Sequence, residues 1–331
     1  MTIHPLPDPV VASGWSDAPP RMGFFTDTSI CIGCKACEVA CKEWNAIPPR
    51  AGDAAAVGQD FTAMSMDNSM GLGADTWRHV AFIEQRKPLG IQEPGQIHGD
   101  DPSGGDVLAL AAQGSGTPVG EAGMTPTTPG PAGEFRWLMA SDVCKHCTHA
   151  ACLDVCPTGS LFRTEFGTVV VQEDICNGCG YCVPACPYGV IDQRPDDGRA
   201  WKCTLCYDRL SVGAEPACAK ACPTDSIQFG PLDELRARAD ARLAAMHDAG
   251  VTDARLYGRD PDDGVGGDGA FFLLLDEPEV YGLPPDPVVT TRDLPLMWRH
   301  AAVAAATLLA GVAATFVPRR RGAGTARGRR R

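Results

Sequence analysis

The sequence predicts an α+β protein with one C-terminal transmembrane helix. Sixteen cysteines fall into four short runs, which indicates loops and short helices gathered around bound metal. Between these runs lie pairs of short alternating segments that predict β-hairpins. Near the end of the chain, residues 301–317 are continuously apolar, which is typical of a membrane-spanning helix.

Each cysteine belongs to one of four quartets. Quartet three is followed by Pro187 and has the spacing of the bacterial ferredoxin run, in which three thiolates hold one [4Fe-4S] cube and the fourth reaches a neighbouring cube. Quartet two is its partner run, and sixteen thiolates are the number that four cubes require. Quartets one to four are, in order, Cys31, Cys34, Cys37 and Cys41; Cys144, Cys147, Cys152 and Cys156; Cys176, Cys179, Cys182 and Cys186; Cys203, Cys206, Cys218 and Cys222.

Three other interpretations of the cysteines are less favoured. A disulfide framework suits small secreted chains, whereas this chain is long and we expect no N-terminal signal peptide. Structural zinc is a second alternative, although three cysteines at i, i+3 and i+6 suit the corners of a cube better than one tetrahedral ion. A Rieske centre needs two His ligands, so we expect His146 and His149 to lie around a cluster or at the surface. Lys35 and Lys145, inside cluster loops, either raise a cluster's potential or are solvated.

Charge is distributed unevenly along the chain. The formal net charge is -12, and the last fourteen residues hold seven Arg and no acid, which leaves 22 basic against 41 acidic residues elsewhere. An acidic body argues against nucleic acid as a partner. The basic tail follows the apolar segment directly, which is the arrangement expected on the cytoplasmic side of a membrane.

The C-terminal apolar segment is the membrane candidate. Seventeen helical residues span about 25 Å, slightly less than the roughly 30 Å hydrocarbon core, and an alanine-rich soluble helix is the alternative. Trp298 before the segment and the Arg cluster after it favour a membrane span. We therefore expect a plasma-membrane protein with a cytoplasmic tail and its cluster-bearing body on the extracytoplasmic, periplasmic-side face, exported while bound to a partner that carries the signal.

The intervening segments predict the domain organisation. Residues 77–85 and 134–143 alternate well enough to pair as a hairpin, and residues 161–176 read as a second hairpin that turns at Phe166 and Gly167. Residues 231–249 have the spacing of an amphipathic helix, for which packing is the favoured role. We expect an extended N-terminal arm (1–28), the first part of an outer module (29–88), a low-complexity surface insertion (89–133), an inner two-cluster module (134–198), the second part of the outer module (199–230), a helix, strand and Pro-rich segment (231–297), the transmembrane helix (298–318) and a basic tail (319–331).

On these motifs, the chain resembles the iron–sulfur β subunit of membrane-bound formate dehydrogenases of the nitrate-inducible type. The resembling stretches are CIGCKACEVACKEWN, ICNGCGYCVPACP and WKCTLCYDRLSVGAEPACAKACPT, and YGLPPDPVV before one membrane helix is the more discriminating feature. The resemblance covers nearly the whole chain apart from the insertion and the N-terminal arm.

The resemblance implies two ferredoxin-like dicluster modules, one inserted in the other in sequence, and a crossed use of ligands. We name the four implied ligand groups sets A to D. Set A is Cys31, Cys34, Cys37 and Cys222; set B is Cys203, Cys206, Cys218 and Cys41; set C is Cys144, Cys147, Cys152 and Cys186; set D is Cys176, Cys179, Cys182 and Cys156.

The expected function is electron transfer without bond chemistry. The sequence lacks a nucleophile–base constellation, a phosphate loop and a dinucleotide fingerprint. By resemblance, electrons pass from a molybdopterin or tungstopterin catalytic α subunit that oxidises formate to a membrane cytochrome b γ subunit that reduces quinone. The alternatives are the same role beside a hydrogenase or another molybdopterin oxidoreductase, a stand-alone polyferredoxin, and a zinc scaffold.

Overall fold

The structure is a computed structural model that describes residues 9–48, 69, 71–85, 136–292 and 294–316. The predicted insertion, the basic tail and the first eight residues of the predicted arm lie outside the described residues. Ten strands occur in the described part, arranged as one four-stranded sheet and three two-stranded sheets.

The four-stranded sheet combines strands from distant parts of the chain. These are β1 Met22–Asp27, β8 Ile227–Pro231, β9 Arg255–Tyr257 and β10 Ala270–Leu274, in the order β8-β1-β10-β9. β1 pairs in parallel with β10, with Phe24 opposite Ala270, and antiparallel with β8, with Phe24 opposite Phe229. Strand β1 is therefore central, and it brings residues some 200 positions apart into one sheet.

The predicted extended arm over residues 1–28 is wrong from Met22 onward, because those residues form β1. Phe24 and Phe25 are both fully buried although successive strand residues point to opposite faces. Both faces of β1 are thus covered, so the strand shows no alternation of apolar and polar residues. Residues 9–12 before it form a short helix, α1 (Pro9–Ala12), rather than an extended segment.

Short helices carry cysteines in all four quartets. They are α2 (Ala36–Trp44), α3 (Ala151–Asp154), α4 (Cys182–Ala185) and α6 (Ala217–Lys220). Helix α5 (Tyr207–Leu210) directly follows Cys206, and 3₁₀ turns lie at Thr28–Ile30 and Pro278–Tyr281. α2 packs against α6, which brings quartets one and four together. α3 packs against α4, which brings quartets two and three together.

One face of the four-stranded sheet is covered by helix α7 (Leu232–Asp248). Leu235 and Ala239 of the helix are buried in a cluster with Phe25 and Phe271, whose rings stack with centroids 5.3 Å apart. This confirms the predicted helix over residues 231–249 and its packing role. The opposite face, which includes Phe24, joins the core that contains several cysteines.

Both predicted hairpins are confirmed. β2 (Arg78–Gln85) pairs antiparallel with β3 (Arg136–Val143), so the undescribed residues 86–135 connect the paired ends at Gln85 and Arg136. β4 (Leu161–Arg163) pairs with β5 (Val169–Val171), and Gly167 in the turn has φ +75°. A third, unpredicted pair joins β6 (Asp192–Gln193) to β7 (Ala200–Trp201).

The chain's last described element is helix α8 (Leu294–Phe316). It begins four residues before the predicted boundary at 298, and its stretch Leu296–Phe316 is long and apolar enough to cross a membrane, with no part buried inside the protein. The Pro-rich segment before this helix packs along the surface of the body, because its residues Tyr281, Leu283 and Val289 are buried.

Candidate metal centres

The first C-x-x-C loop of each quartet has the same backbone feature. The residue at the third position of each loop has a positive φ: +65° at Gly33, +47° at His146, +71° at Gly178 and +57° at Leu205. This left-handed conformation turns successive backbone N–H groups toward one side, as in anion-binding loops. Two of the four residues, His146 and Leu205, are not glycine, and the left-handed conformation costs each of them about 1 kcal/mol. The tertiary structure must therefore impose this conformation on them.

The thiols of set C line one cavity. Cys144, Cys147 and Cys152 from quartet two and Cys186 from quartet three line this cavity, whose volume of about 350 Å³ includes space open to solvent. The other lining residues are mostly apolar, and they include Val169, Val190 and Ile191. The structure therefore brings the last cysteine of quartet three to quartet two, as the resemblance implies.

The thiols of set A line a second cavity. Cys31, Cys34 and Cys37 from quartet one and Cys222 from quartet four surround about 290 Å³ of empty space, together with Ile32 and Ile227. Cys222 is at least 185 positions from the other three thiols in the sequence, so only tertiary folding brings it there.

The thiols of set B lie together as well. Burial raises the pKa of Cys41 well above its ordinary value, and the neighbouring thiols of Cys203, Cys218 and Cys206 raise it further. Burial also raises the pKa of Cys206 to about 11, with a further contribution from Cys218. Leu205 donates its backbone N–H to the Sγ of Cys203 at 3.2 Å.

Set D shows the same crossed arrangement. Burial raises the pKa of Cys182 to about 11, and Cys176, Cys156 and Cys179 raise it further. Cys156 behaves differently: although burial opposes ionisation, hydrogen bonds from Ser160, Leu161 and Thr158 lower its pKa to about 6. Ser160 Oγ lies 3.4 Å from its Sγ.

The electrostatic influence of thiols in one set on thiols in another indicates which sets are neighbours. Set A adjoins set B, because Cys218 influences Cys37; set B adjoins set C, because Cys144 influences Cys203. Set C adjoins set D, because Cys182 influences Cys152. The two exposed cysteines are Cys34 in set A and Cys179 in set D. The order is therefore A-B-C-D, with an accessible thiol at each end.

The chemistry of these thiols fits iron–sulfur clusters. Within the described ranges, no three Cys, His, Asp or Glu side chains converge closely enough for a single metal ion, whereas a cube holds its four thiolates on separate iron atoms. Burial raises the pKa of Cys37 to about 11 and of Cys152 to about 12, so these thiols become thiolates only when metal binds. The residues present therefore fit the implied group.

Buried cations lie beside the thiols. Lys145 is fully buried and pairs with Asp142, so it is not the solvated lysine considered from the sequence. Lys202 is also buried, and its Nζ donates to the carbonyl oxygens of Val169 and Cys203. Arg78 is buried and donates from Nη2 to the Sγ of Cys218 at 3.3 Å.

Sequence reasoning missed Arg78 and Lys202. Lys202 directly precedes quartet four, which is a usable signal, but Arg78 lies far from any quartet in sequence. His146 is buried beside the set C cavity, and burial followed by the charge of Lys202 lowers its pKa well below the ordinary range. His146 is therefore neutral, and its Nδ1 accepts a hydrogen bond from the backbone N–H of Val169. Of the two positions expected from the sequence, around a cluster or at the surface, His146 occupies the first.

Two arginines hold the quartet two loop from outside. Arg21 donates to the carbonyl oxygen of His146 at 3.0 Å and to the hydroxyl of Thr148 at 2.7 Å. Arg163 donates to the carbonyl oxygens of Cys147 and Thr148 at 3.0 and 2.9 Å. These charge-assisted bonds hold the loop backbone in place.

Comparison with known families agrees with this chemistry. The family model described as a 4Fe-4S dicluster domain matches residues 135–232, and a model described as a 4Fe-4S binding domain matches residues 28–44. The first match includes quartets two, three and four, and the second includes quartet one. The chain thus contains iron–sulfur domains of the [4Fe-4S] type.

Relatives of known name match most of the chain. The formate dehydrogenase iron–sulfur subunit of Haemophilus influenzae is 36% identical over 80% of this chain and 68% of its own length. The nitrate-inducible formate dehydrogenase iron–sulfur subunit of Escherichia coli is 34% identical over 88% of this chain and 80% of its own. The B subunit of the anaerobic dimethyl sulfoxide reductase of the same bacterium is 30% identical over 65% and 76%. The chain belongs to the family of formate dehydrogenase iron–sulfur subunits.

Proposed function

We propose that this chain is a non-catalytic electron-transfer subunit that holds four [4Fe-4S] clusters, one in each of sets A to D. Each such cluster accepts and releases one electron at a time. The observation that carries the proposal is the succession of neighbouring sets A-B-C-D, with one exposed thiol in each of the two terminal sets. A series of this kind conducts electrons from one docking partner to another.

The protein's own contribution is to hold the thiols and exclude water. Sets B and C, in the middle of the order, are lined by buried residues such as Leu205, Ile191 and Val169. The nested organisation of an outer module (A and B) around an inner one (C and D) is supported by the packing of α2 on α6 and of α3 on α4. A low-dielectric environment strengthens the influence of every nearby charge on the thiolates.

The proposed partners follow from the family. We propose a molybdopterin or tungstopterin catalytic subunit that oxidises formate at one end and a membrane cytochrome b subunit at the other. Helix α8 supports a single-pass anchor in the plasma membrane, since Trp298, Leu308 and Phe316 project from it exposed to the surroundings. The proposed orientation places the body on the periplasmic side, with the Arg-rich tail in the cytoplasm.

A second candidate is the same conducting role beside a different molybdopterin catalytic subunit, and the similarity to the dimethyl sulfoxide reductase B subunit favours it specifically. The separating experiment uses the complex purified with its native partners. Formate should reduce the clusters of the proposed complex, as followed by EPR spectroscopy, while hydrogen leaves them oxidised. Reoxidation of the clusters by dimethyl sulfoxide without reduction by formate would contradict the proposal and support the second candidate.

A further inference from the structure

Arg78, the first residue of β2, lies between two of the thiol sets. Its Nη2 donates to the Sγ of Cys218 in set B at 3.3 Å. Its Nη1 donates to both the carbonyl oxygen and the hydroxyl of Ser141 at 3.2 Å. The guanidinium also lies over the ring of Phe24, 4.9 Å from its centroid. The side chain is therefore held from three directions.

Ser141 extends this contact to set A. Its Oγ lies 3.2 Å from the Sγ of Cys37, and both residues are buried. A guanidinium can only donate, so the Ser141 hydroxyl must accept from Arg78. Its single proton then remains for the sulfur of Cys37. Arg78 thus donates directly to a thiol of set B and, through Ser141, polarises a donor to a thiol of set A.

The thiols are the negative partners of this buried cation. Arg78 is buried and contacts Cys218 of set B directly and Cys37 of set A through the Ser141 hydroxyl. A buried cation is strongly destabilising without a charged partner, so bound thiolates and the guanidinium stabilise one another.

We propose that Arg78 is a positioning residue that raises the reduction potentials of two clusters at once, directly in set B and through the Ser141 hydroxyl in set A. This inference rests on the proposed ligation by sets A and B. Reduction adds one electron, and so one negative charge, to each cluster. Hydrogen bonds to the sulfurs and nearby positive charge stabilise the reduced form, which raises the potential.

Variants of Ser141 and Arg78 should change the cluster potentials differently, and the difference can be measured in the purified full complex. Ser141→Ala removes only the relayed donor, so the set A potential should fall while the set B potential stays unchanged. Arg78→Gln removes the charge, so both should fall, and Arg78→Lys should restore part of the loss. We expect about a tenfold change in the reduction equilibrium of an affected cluster, which is 59 mV for one electron.

The matched control is Ser160→Ala, because Ser160 places its hydroxyl 3.4 Å from the Sγ of Cys156 in set D. Ser160→Ala should leave the potentials of sets A and B unchanged. The potentials are measured by EPR-monitored redox titration, and signals are assigned by their loss in Cys34→Ser for set A and Cys206→Ser for set B.

An unchanged set A potential in Ser141→Ala would overturn the inference, even if Arg78→Gln fails to assemble. A fall of the set B potential in Ser141→Ala would also overturn it, since that residue is assigned to set A alone. Failure of the proposed function gives a different result, because the unmodified complex would then show no [4Fe-4S] signals to titrate.

Discussion

The inner and outer cysteine regions have the same loop geometry but are assembled differently. Quartets two and three lie within 43 residues of one another and enclose a local hairpin, β4 and β5. Quartets one and four are joined only by tertiary contacts, and the sheet beside them combines β1, β8 and β10 from both ends of the body. Since loop closure over long separations costs entropy, the outer region depends more on its apolar core than the inner one.

The largest expected effect tests the crossing of ligands in the inner region. Cys186→Ser should remove the cluster of set C, because Cys186 lines that cavity although it belongs to quartet three. Cys179→Ser is the matched control and should affect set D. Iron analysis should show a loss of about four iron atoms in each variant, and EPR spectroscopy should show loss of different signals. Loss of the same signal in both variants would contradict the crossing.

The next effect compares the two faces of β1. Phe25→Ala should destabilise the protein by about 3–5 kcal/mol through the cavity it leaves against Phe271 and Leu235. Phe24→Ala has the same chemistry but opens its cavity toward the thiol side of the sheet. Denaturant unfolding should show comparable losses, and only Phe24→Ala should also accelerate iron release. Equal iron release in both would show that the faces are not distinct.

These residues also show what the sequence could predict. The inner region could be predicted because its cysteine spacing and its hairpin turn at Gly167 lie within one continuous stretch, whereas the assignment of its ligands to sets C and D came from the family resemblance. Strand β1 could not be predicted, because Phe24 and Phe25 are buried on opposite faces and the strand therefore lacks the apolar–polar alternation that indicates a strand. The sequence alone placed every cysteine in a candidate cluster-binding quartet. It could not predict the contact of Arg78 with Cys218, because the two residues lie 140 positions apart and no local pattern indicates such a contact.

A smaller effect compares two lysines in the cysteine loops, one in each region. Lys145→Met should cost about 3 kcal/mol, because it leaves Asp142 without its buried partner and removes contacts over Phe272. Lys35→Met should cost about 1 kcal/mol or less, since the pair with Glu38 is partly solvated and Glu38 also accepts from Val80. Thermal or denaturant unfolding measures both, and equal losses would contradict the assigned difference in burial.

The smallest effect compares Gly178, at the third position of the quartet three loop, with Gly189, a left-handed glycine outside the C-x-x-C loops. Gly189→Ala should cost about 1 kcal/mol from backbone strain alone, because nothing lies within 4 Å of an added Cβ at φ +63°. Gly178→Ala should cost more, because its Cβ would lie 2.6 Å from the carbonyl oxygen of Gly198. Denaturant unfolding of the two variants tests this, and an equal cost would show that the quartet three loop moves freely away from Gly198.

The most direct test of the central claim is the iron and acid-labile sulfide content of the anaerobically purified chain in its complex. Sixteen cysteines in four interlocking sets predict about sixteen iron and about sixteen sulfide atoms per chain. A content near eight, or iron without sulfide, would contradict the account, because at least two sets would then hold no cluster.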